Sequence, residues 1–593
     1  MRSRAAVENY PEWPNLAAMM FARARQWPNR PMLRAAGQGG AGQDGAGQSI
    51  SWGEFARLAA AAARGLREAG VSAGDRVVLV SENRPEYPIA ETALLAIRAV
   101  PVPTYVTNTV EDHAHVLRDS GARVAIVSTA ALAERVAAAG PLDLLVTLGD
   151  QPAPPGGSRS WRALSWQALT AGASRPASDI AAEAEIIPGG SLACIIYTSG
   201  TGGQPKGVML SHRAMLSNCH GAFELVAPLR LADEVYLSFL PLSHSYEHTV
   251  GQYFLLSIGT EIVYSRGVEH LVPDMLAVRP TIMAMVPRLL EVIRTRILAQ
   301  VAREAAWKQA LFHRAVRYGE ARAQGVPLSP AAWLADRALD RLVRRKVRAR
   351  FGGRFRVAIS GSARLDPEVG GFFRALGINL LQGYGQTEAG PVISATPPQA
   401  TRIETVGRPL RGVELRIADD GEILVRGDLV MEGYWGRPAE TQEVLRDGWL
   451  HTGDVGVVDG AGNLRITDRK KDLIVLSGGD NIAPAKVEAA LSKAPEIAQA
   501  VVFGDGQASL AALLVVADGC DERAVSAAVA RVNTQLAAPE RVRRHRLVPP
   551  FSVENSLLTP TQKIKRRQVL ATHAGLVGEL SGGAADFVRR AAD

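Results

Sequence analysis

Lysine is scarce in this chain, so each lysine carries some information. Of the 67 lysine and arginine residues only nine are lysine, and none of them precedes position 206. A compositional bias toward arginine would also produce this pattern. A lysine that does stand in a loop nevertheless offers a compact point charge in place of a planar guanidinium. The nine are Lys206, Lys308, Lys346, Lys470, Lys471, Lys486, Lys493, Lys563 and Lys565.

Cysteine and long apolar runs are also few. The three cysteines, Cys194, Cys219 and Cys520, show no C-x-x-C or metal-ligand spacing, which argues against a zinc site. Cys194 sits in an apolar stretch, so we expect it in the core. No stretch approaches the roughly 18 apolar residues of a membrane-spanning helix, and residues 1–14 lack the apolar centre of a signal peptide. These absences predict a protein of the reducing cytoplasm.

Neither sign of charge is in large excess. The 593 residues carry a formal net charge of +8, which can help to attract anionic nucleotides or acidic lipid surfaces. Zinc-finger, RNP and basic-zipper patterns are missing from the sequence, so we expect no nucleic acid partner. The length itself predicts more than one domain with a large core.

Residues 50–135 read as alternating helices and strands. Helices are predicted over 51–69, 86–100 and 112–120, and strands over 76–81 and 124–128. This alternation predicts an α/β layer in which helices cover a parallel sheet.

The pattern changes in the second half of the chain. Short strands and turns are predicted over residues 422–468. A charged segment over 468–472 connects them to residues 473–574, which resemble a compact α+β unit. The fold class is therefore α/β. We expect a large N-terminal domain of layered sheets with a small β-rich subdomain over 1–467, a hinge over 468–472, a small C-terminal α+β domain over 473–575 and a tail over 576–593.

Residues 286–356 are predicted to be helical in several pieces and are crowded with arginine. The densest positive run comprises Arg341, Arg344, Arg345, Lys346, Arg348 and Arg350. One interpretation is a solvated helix face. The other is a surface that meets anionic lipid headgroups, where each cation contributes about 1 kcal/mol.

A small-residue loop follows the predicted strand over 192–197. It reads T-S-G-T-G-G-Q-P-K from position 198 to Lys206. Backbone N–H groups of such a loop form a concave nest for phosphate oxygens, and Lys206 adds a mobile charge. In the common nucleotide P-loop the lysine directly follows the last glycine, whereas here it precedes Gly207. A plain turn is the alternative interpretation.

Two further loops follow predicted strands. Residues 360–365 (S-G-S-A-R-L) come after a strand over 356–359, and residues 382–390 (Q-G-Y-G-Q-T-E-A-G) come after a strand over 378–381. Ligands bind at the carboxyl ends of strands in open α/β sheets. Tyr384, flanked by two glycines, is suited to stack on a flat base, and Glu388 is suited to hold Mg²⁺ that bridges phosphates.

Three charged residues toward the C-terminus complete the pattern. Asp454 stands in D-G-W-L-H-T-G-D-V-G, which predicts a carboxylate fixed in a glycine-bounded turn and suited to a ribose diol. Arg469 lies at the expected junction of the two domains, within reach of ribose or phosphate. Lys563, in L-T-P-T-Q-K-I-K-R-R, is predicted to stand on a short turn.

Taken together, these segments resemble the adenylate-forming superfamily of acyl-CoA synthetases, peptide-synthetase adenylation domains and luciferases. The resemblance covers residues 12–575, with the segments in the family's order. Within the superfamily the chain is most similar to the long-chain fatty acid–CoA ligases. That similarity rests on residues 240–248 (L-P-L-S-H-S-Y-E-H), residues 286–291 (V-P-R-L-L-E) and the helical insertion that follows them.

The resemblance implies two half-reactions and a set of roles. A fatty acid carboxylate attacks the α-phosphate of ATP, and coenzyme A then displaces AMP from the acyl-AMP. The small C-terminal domain is expected to be mobile and to rotate between the steps. The implied phosphate ligands are Thr198, Ser199, Gly200, Thr201, Gly202, Gly203, Lys206 and Thr387, with Glu388 for Mg²⁺. The implied adenine slot comprises Gly361, Ser362, Ala363, Gln382, Gly383, Tyr384 and Gly385.

The remaining implied roles belong to the ribose, the acyl group and coenzyme A. Asp454 and Arg469 would hold the ribose, and Lys563 would bridge carboxylate and α-phosphate. His244 would stand between nucleotide and acyl pocket, with a structural histidine as the alternative. Lys471 lies in the expected hinge, and the implied coenzyme A channel comprises Ser477, Gly478 and Gly479.

The chain departs from the family pattern at two places. Gly202-Gly203 replaces the usual Thr-Gly, which removes a hydroxyl but keeps the backbone nest, and Arg364 stands where long-chain ligases often have proline. Two other functions stay open at this point. One is an acyl-AMP ligase that loads a separate carrier protein, since too few residues follow Lys563 to build a carrier domain. The other is a catalytically silent acyl- or nucleotide-binding protein. Oligomeric state is not indicated.

Overall fold

A computed structural model describes residues 9–37, 49–150, 161–198, 204–398, 402–470, 472–478, 480–559 and 562–581. The part of the chain up to residue 165 contains the predicted parallel layer. Its five strands all run parallel, in the spatial order Val100–Thr104, Arg76–Val80, Val124–Val127, Leu144–Thr147 and Arg162–Ser165. The helices around them include Trp52–Glu68, Glu86–Ala96, Val110–Ser120 and Ala130–Ala139.

The prediction of one helix over 86–100 is wrong at its end. The helix Glu86–Ala96 stops four residues earlier, and Val100–Thr104 forms a strand that contains Pro101 and Pro103. This strand occupies the edge of its sheet. Proline is tolerated there because an edge strand need not donate every backbone hydrogen bond.

A second, nine-stranded sheet forms the largest layer. Its strands, in spatial order, are Arg408–Pro409, Val392–Ala395, Asn379–Gly385, Val357–Ser360, Ile282–Met285, Val235–Ser238, Glu261–Tyr264, Pro31–Ala35 and Ile50–Ser51. Helices Leu16–Gln26, Ser178–Glu185, His212–Val226, Leu255–Ser257, Leu271–Val278 and Pro367–Ala375 and the π-helical segment Glu247–Phe254 complete this layer. Cys194 is buried in the main hydrophobic core, as expected.

Two smaller sheets adjoin these layers. Leu192–Thr198, Lys206–Ser211 and Gly433–Tyr434 form a three-stranded antiparallel sheet. The predicted β-rich subdomain is present as an antiparallel sheet of Glu414–Ile417, Glu422–Arg426, Trp449–Val458, Leu445–Arg446 and Leu464–Arg469. The short helix Pro438–Val444 connects the two sheets.

The arginine-rich insertion is helical in several pieces, as predicted. It comprises Pro287–Ala302, Ala306–Ala323, Pro330–Leu339, the π-helical turn Asp340–Arg344, and Arg345–Ala349. Its positive run is not a single surface, because part of it lies inside the insertion while Arg341, Arg345, Lys346 and Arg350 are exposed. Arg344 is fully buried and paired with Asp336, and Arg348 is bonded to Asp340 at 2.9 Å.

The C-terminal part is a separate α+β unit with its own cores. The strands are Ile497–Phe503, Leu510–Val516 and Val542–Leu547, with a small ladder of Ile474–Val475 and Asn481–Ile482. The helices are Pro484–Ser492, Glu522–Asn533, Arg566–Thr572 and Ala574–Leu580. Lys493 of this unit lies 3.0 Å from Glu368 and 3.4 Å from Asp366 of the N-terminal part.

The architecture is therefore α/β, with layered sheets, a β-rich subdomain and a smaller C-terminal α+β domain. None of the helices in the described ranges has both the length and the apolar character needed to cross a membrane.

Candidate active site

Two paired antiparallel strands flank the phosphate loop in the sequence. Leu192–Thr198 enters the loop and Lys206–Ser211 leaves it, with Thr198 opposite Lys206 and Tyr197 opposite Gly207. Lys206 is thus the first residue of a strand, where backbone pairing fixes the start of its side chain. The predicted ligands Ser199, Gly200, Thr201, Gly202 and Gly203 lie outside the described residues.

Lys206 is held by two neighbours from a distant part of the sequence. Its ammonium forms an ion pair with Glu440 and lies 5.0 Å from the centroid of the Tyr434 ring. The hydroxyl of Tyr434 donates to Glu388 Oε1 at 3.0 Å. A single tyrosine therefore contacts the two residues that were predicted separately as phosphate lysine and magnesium ligand.

Glu388 stands on the short 3-10 turn Thr387–Ala389, directly after the strand Asn379–Gly385. Burial raises the pKa of Glu388 above its usual value. The neighbouring Thr387 Oγ1 lies 2.9 Å from Ser245 Oγ. A hydroxyl and a carboxylate are thereby presented side by side at the carboxyl end of a strand, where a phosphate group can meet both.

The segment from Gln382 to Gly385 is strand rather than loop, which corrects the predicted end of this strand at 381. Gly383 pairs with Ala395 and Tyr384 with Ser394 on the antiparallel neighbour. A Cβ atom on Gly385 would lie 1.8 Å from the Pro391 carbonyl oxygen, so only glycine fits. Gln382 is buried, and its backbone N–H donates to Thr396 Oγ1 at 2.8 Å.

Asp454 lies within the strand Trp449–Val458 and not in the predicted turn. The preceding Gly453 has a φ of 70°, which breaks the regular strand conformation at this point. Both carboxylate oxygens of Asp454 are engaged. Tyr384 donates from its hydroxyl to Oδ2 at 2.7 Å, and Arg469 donates from Nε to Oδ1 at 3.1 Å. The structure thus brings together three residues predicted for base and ribose.

Lys563 stands on a tight turn, as predicted. The N–H of Thr559 donates to the Lys563 carbonyl at 2.8 Å, and the Lys563 N–H donates to Thr559 Oγ1 at 3.0 Å. The side chain is half-buried. Burial and, to a smaller extent, the charge of Arg469 lower the pKa of Lys563 to about 8, and the charge of Asp454 opposes both. Lys563 therefore lies within electrostatic reach of the Asp454–Arg469 pair.

His244 faces the same place from the large domain. Burial and the charge of Lys563 lower the pKa of His244 to about 3, so the ring is neutral. The Tyr246 N–H donates to its Nδ1 at 3.1 Å, which leaves the ring proton on Nε2, 3.2 Å from Ser362 Oγ. Gly361 packs on the ring of Tyr246, and Ala363 is exposed.

The predicted coenzyme A segment lies elsewhere. Ser477 and Gly478 form an exposed turn of the C-terminal domain, where the Ser477 N–H donates to the Gln507 carbonyl at 2.8 Å. Gly479 and the predicted hinge residue Lys471 lie outside the described residues. Asp468 and Arg469, also placed in the expected hinge, still belong to the strand Leu464–Arg469.

Sequence reasoning missed the residues that support the site. Tyr434 and Glu440 both come from the segment G-Y-W-G-R-P-A-E, in which a glycine–aromatic turn precedes a proline that opens a helix. That local signal was available. Their contact with Lys206, more than 200 positions earlier, was not.

A divalent cation fits this site only when substrate phosphates supply some of its ligands. Within the described ranges, no group of three or more histidine, cysteine, aspartate or glutamate side chains is placed to hold a metal ion. Mg²⁺ is commonly bound by one or two carboxylates plus substrate phosphates and water. The single carboxylate of Glu388 fits that kind of site.

Comparisons with known proteins agree with this geometry. A family model described as AMP-binding enzyme matches residues 20–435, and one described as AMP-binding enzyme C-terminal domain matches residues 471–580. A long-chain-fatty-acid–CoA ligase of Mycobacterium tuberculosis is 35% identical, over 94% of this chain and 95% of the relative. The peroxisomal long chain acyl-CoA synthetase 7 of Arabidopsis thaliana is 32% identical, over 90% and 81%.

Solved structures share the fold. ATP-bound MatB of Rhodopseudomonas palustris aligns with a TM-score of 0.71 at 24% identity, over 95% of this chain and 100% of that one. The anthranilate CoA ligase AuaEII with anthranoyl-AMP aligns with a TM-score of 0.73 at 20% identity, over 96% and 99%. With a family model over most of its length and full-length relatives above 30% identity, the chain belongs to the AMP-binding enzymes of the adenylate-forming superfamily.

Proposed function

We propose that this protein is an ATP-dependent, AMP-forming ligase that activates a long-chain fatty acid and transfers the acyl group to coenzyme A. The observation that carries the proposal is the Asp454–Arg469 pair, which is bonded to Tyr384 and lies within electrostatic reach of both Lys563 and Glu388. Full-length relatives described as long-chain-fatty-acid–CoA ligases support the choice of substrate.

The first half-reaction brings one anion onto another. A carboxylate oxygen of the fatty acid forms a bond to the α-phosphorus of ATP, and the bond to the leaving pyrophosphate breaks. Cations placed in advance are the natural solution, because their charge acts on the transition state without reorganisation. In this proposal Lys206 and the backbone of the phosphate loop hold the leaving pyrophosphate. Lys563 approaches the reacting carboxylate, and Thr387 contacts the α-phosphate.

Nucleotide orientation comes from the other side of the site. The engaged carboxylate of Asp454 has lone pairs left for ribose hydroxyls, and Arg469 fixes its direction. Gly361, Gly383 and Gly385 keep the adenine slot free of side chains. Glu388 is the residue that would hold Mg²⁺, which supplies charge neutralisation to the phosphates when bound.

The second half-reaction needs a different access route. The coenzyme A sulfur forms a bond to the acyl carbon, the bond to AMP breaks, and the thiol proton leaves to solvent. In the arrangement described above, Lys563 lies within electrostatic reach of Asp454 and Arg469, the residues proposed to hold the ribose. We therefore propose that the C-terminal domain, residues 473–575, turns about a hinge at 468–472 and brings the turn of Ser477 and Gly478 toward the thiol.

The test is ATP–pyrophosphate exchange with a panel of acids from acetate to oleate. Exchange that rises with chain length supports the proposal. No exchange with any acid of the panel would refute it and would favour a catalytically silent binding protein. Offering coenzyme A and a free acyl carrier protein side by side separates the ligase from an acyl-AMP ligase that loads a carrier.

We also propose that the protein is located in the cytoplasm and binds peripherally to the inner face of a membrane that contains anionic lipid. The supporting feature is one exposed face of the helical insertion. Positions 333, 337, 341 and 345 are tryptophan and three arginines, and positions 334, 338, 342 and 346 are leucine, alanine, leucine and lysine. All eight are exposed, whereas Asp336 and Arg344 point inward.

Such a face has the composition of an interfacial helix. Leu334 and Leu342 are 64% and 57% exposed, and Arg337 lies 4.3 Å from the Trp333 ring. Tryptophan prefers the headgroup region, and cations beside apolar residues favour anionic lipid. The exposed Trp307 extends the same chemistry to the neighbouring helix.

Vesicle sedimentation distinguishes this surface from an ordinary solvated face. We expect binding to phosphatidylcholine vesicles that contain phosphatidylglycerol, weak binding to pure phosphatidylcholine, and loss of the difference in Arg337→Glu/Arg341→Glu. The matched control is Arg523→Glu/Arg543→Glu, which changes two exposed arginines of the C-terminal domain. Binding that ignores lipid charge would contradict the proposal.

A further inference from the structure

A chain of polar contacts joins the two strands that flank the phosphate loop. On the entering strand, the Tyr197 hydroxyl donates to Asp119 Oδ2 at 2.7 Å. Arg437 Nη2 donates to the other oxygen, Asp119 Oδ1, at 3.1 Å. Arg437 Nη1 donates to Glu440 Oε1 at 3.1 Å, and Glu440 Oε2 pairs with Lys206 on the leaving strand. The contacts therefore run without a break from one stem of the loop to the other.

Glu440 links the two halves of this series of contacts because both of its carboxylate oxygens are bonded, one to Arg437 and the other to Lys206. It lies in the first turn of the helix Pro438–Val444, which backbone pairing of Gly433–Tyr434 with the leaving strand keeps close to Lys206. The pKa of Glu440 is lowered, chiefly by its bond to Lys206 and also by Arg437. The carboxylate is thus ionised and fully committed before any ligand arrives.

A lysine side chain loses rotamer freedom when it is immobilised. An ammonium that already has a partner has lost part of that freedom beforehand. The ammonium carries three hydrogens, so one bond to Glu440 leaves the others for phosphate oxygens. Arg437 offsets the negative charge of Glu440, which would otherwise repel a polyanionic ligand.

We propose that Glu440 is a positioning residue that holds Lys206 over the Tyr434 ring and aims it at the pyrophosphate portion of the nucleotide. Arg437 and Asp119 support this role, because their hydrogen bonds fix Glu440 relative to the strand that enters the loop. This inference rests on the proposed adenylation function and adds residues that themselves touch neither nucleotide nor fatty acid.

Glu440→Gln tests the role, because it removes the charge and keeps the size. We expect kcat of ATP–pyrophosphate exchange to fall about tenfold while KM for ATP changes less than about threefold. Transfer from supplied acyl-AMP to coenzyme A should stay at the wild-type rate. Glu443→Gln, an exposed glutamate on the same helix, is the matched control and should match the wild type in both assays.

A double-mutant cycle with Lys206→Ala separates positioning from general damage, because coupled residues are not additive. In the Lys206→Ala background Glu440→Gln should cause no further loss of single-turnover adenylation. An equal tenfold loss in that background would overturn the proposal. So would a wild-type kcat, or a tighter KM for ATP at unchanged kcat, in Glu440→Gln itself.

Arg437→Gln is the second variant, for use if Glu440→Gln lowers the melting temperature. It leaves the Lys206–Glu440 pair intact and removes its anchor, so we expect a fall in kcat of about threefold. Unchanged kcat would count against the proposal. If the wild-type protein exchanges pyrophosphate with no acid, the proposed function fails first, and the two failures are distinguishable.

Discussion

Arg469 donates from Nε to Asp454 Oδ1 at 3.1 Å, across two antiparallel strands on which the two residues stand directly opposite each other. Strand register sets this pair, so it is in place before a nucleotide binds. The Tyr384 hydroxyl completes it from another sheet, at 2.7 Å from Oδ2.

Asp454→Asn should weaken nucleotide binding, because the amide loses one acceptor and the negative charge that orients Arg469. Hydrogen bonds to a charged group contribute about 1.5–3 kcal/mol, so we expect KM for ATP in the exchange reaction to rise about 10- to 100-fold. Steady-state exchange over a range of ATP concentrations measures it. Asp459→Asn, on the exposed turn of the same subdomain, serves as the control, and an unchanged KM in Asp454→Asn would contradict the assignment.

Lys563→Ala should abolish adenylation and leave thioester formation from supplied acyl-AMP largely intact. The reason is that this lysine is proposed to act only on the reacting carboxylate and α-phosphate. The two half-reactions are assayed separately, by pyrophosphate exchange and by release of AMP from acyl-AMP with coenzyme A. Lys565→Ala, two residues along the same segment, is the natural comparison. Equal loss of both half-reactions would show that the role assigned to Lys563 is wrong.

Adenylation should also lose rate as pH rises through about 8. Burial lowers the pKa of Lys563 to about 8, so its positive charge is present at pH 7 and largely lost by pH 9. Exchange without coenzyme A avoids titration of the thiol and should show an apparent pKa near that value. A flat profile up to pH 10 would indicate that the charge of Lys563 is not used.

Much of this site follows from local pattern. A β-branched stretch before a small-residue loop predicts the strand that enters the phosphate loop, and loops after strands predict that Glu388 and Ser362 lie at the carboxyl ends of their strands. What local pattern could not supply is contact between distant segments. Tyr434 meets both Lys206 and Glu388 only because Gly433–Tyr434 pairs with the leaving strand.

The incorrect predictions have the same origin. The glycines around Asp454 predict a turn, yet Asp454 pairs with Arg469 on one neighbouring strand, and residues on either side of it pair with a second. The strand at 379–385 continues through Gly383 and Gly385 because Val392–Ala395 lies alongside. Tertiary pairing overrides the weak local preference of glycine in each case.

Gly385→Ala should destabilise the protein, whereas Gly383→Ala should be tolerated. The added Cβ would lie 1.8 Å from the Pro391 carbonyl oxygen at position 385, but the nearest atom to a Cβ at position 383 is 3.7 Å away. Overpacking against a fixed backbone costs about 1–3 kcal/mol or more. Thermal unfolding of both variants measures the difference, and equal melting temperatures would contradict the packing described for this strand.

Asp336→Ala should loosen the helical insertion. It removes the nearer of the two carboxylates, Asp336 and Asp340, that pair with the fully buried Arg344, and breaking a buried pair costs about 3–5 kcal/mol. Hydrogen exchange of peptides from residues 306–349 should accelerate, while peptides of the C-terminal domain keep their wild-type protection. Arg345→Ala, an exposed neighbour, should leave both unchanged. Unaltered exchange in Asp336→Ala would show that the pair is not needed for the insertion.

The ion pairs of Lys493 with Glu368 and Asp366 join the two domains through a side chain that is half exposed. Exposed pairs of this kind contribute less than about 1 kcal/mol and are screened by salt. These ion pairs therefore contribute to the junction a free energy comparable to thermal energy. Ion pairs of that strength can break and form again many times while both domains stay folded. Because salt screens them, raising the ionic strength should lower the fraction of molecules in which these pairs are formed.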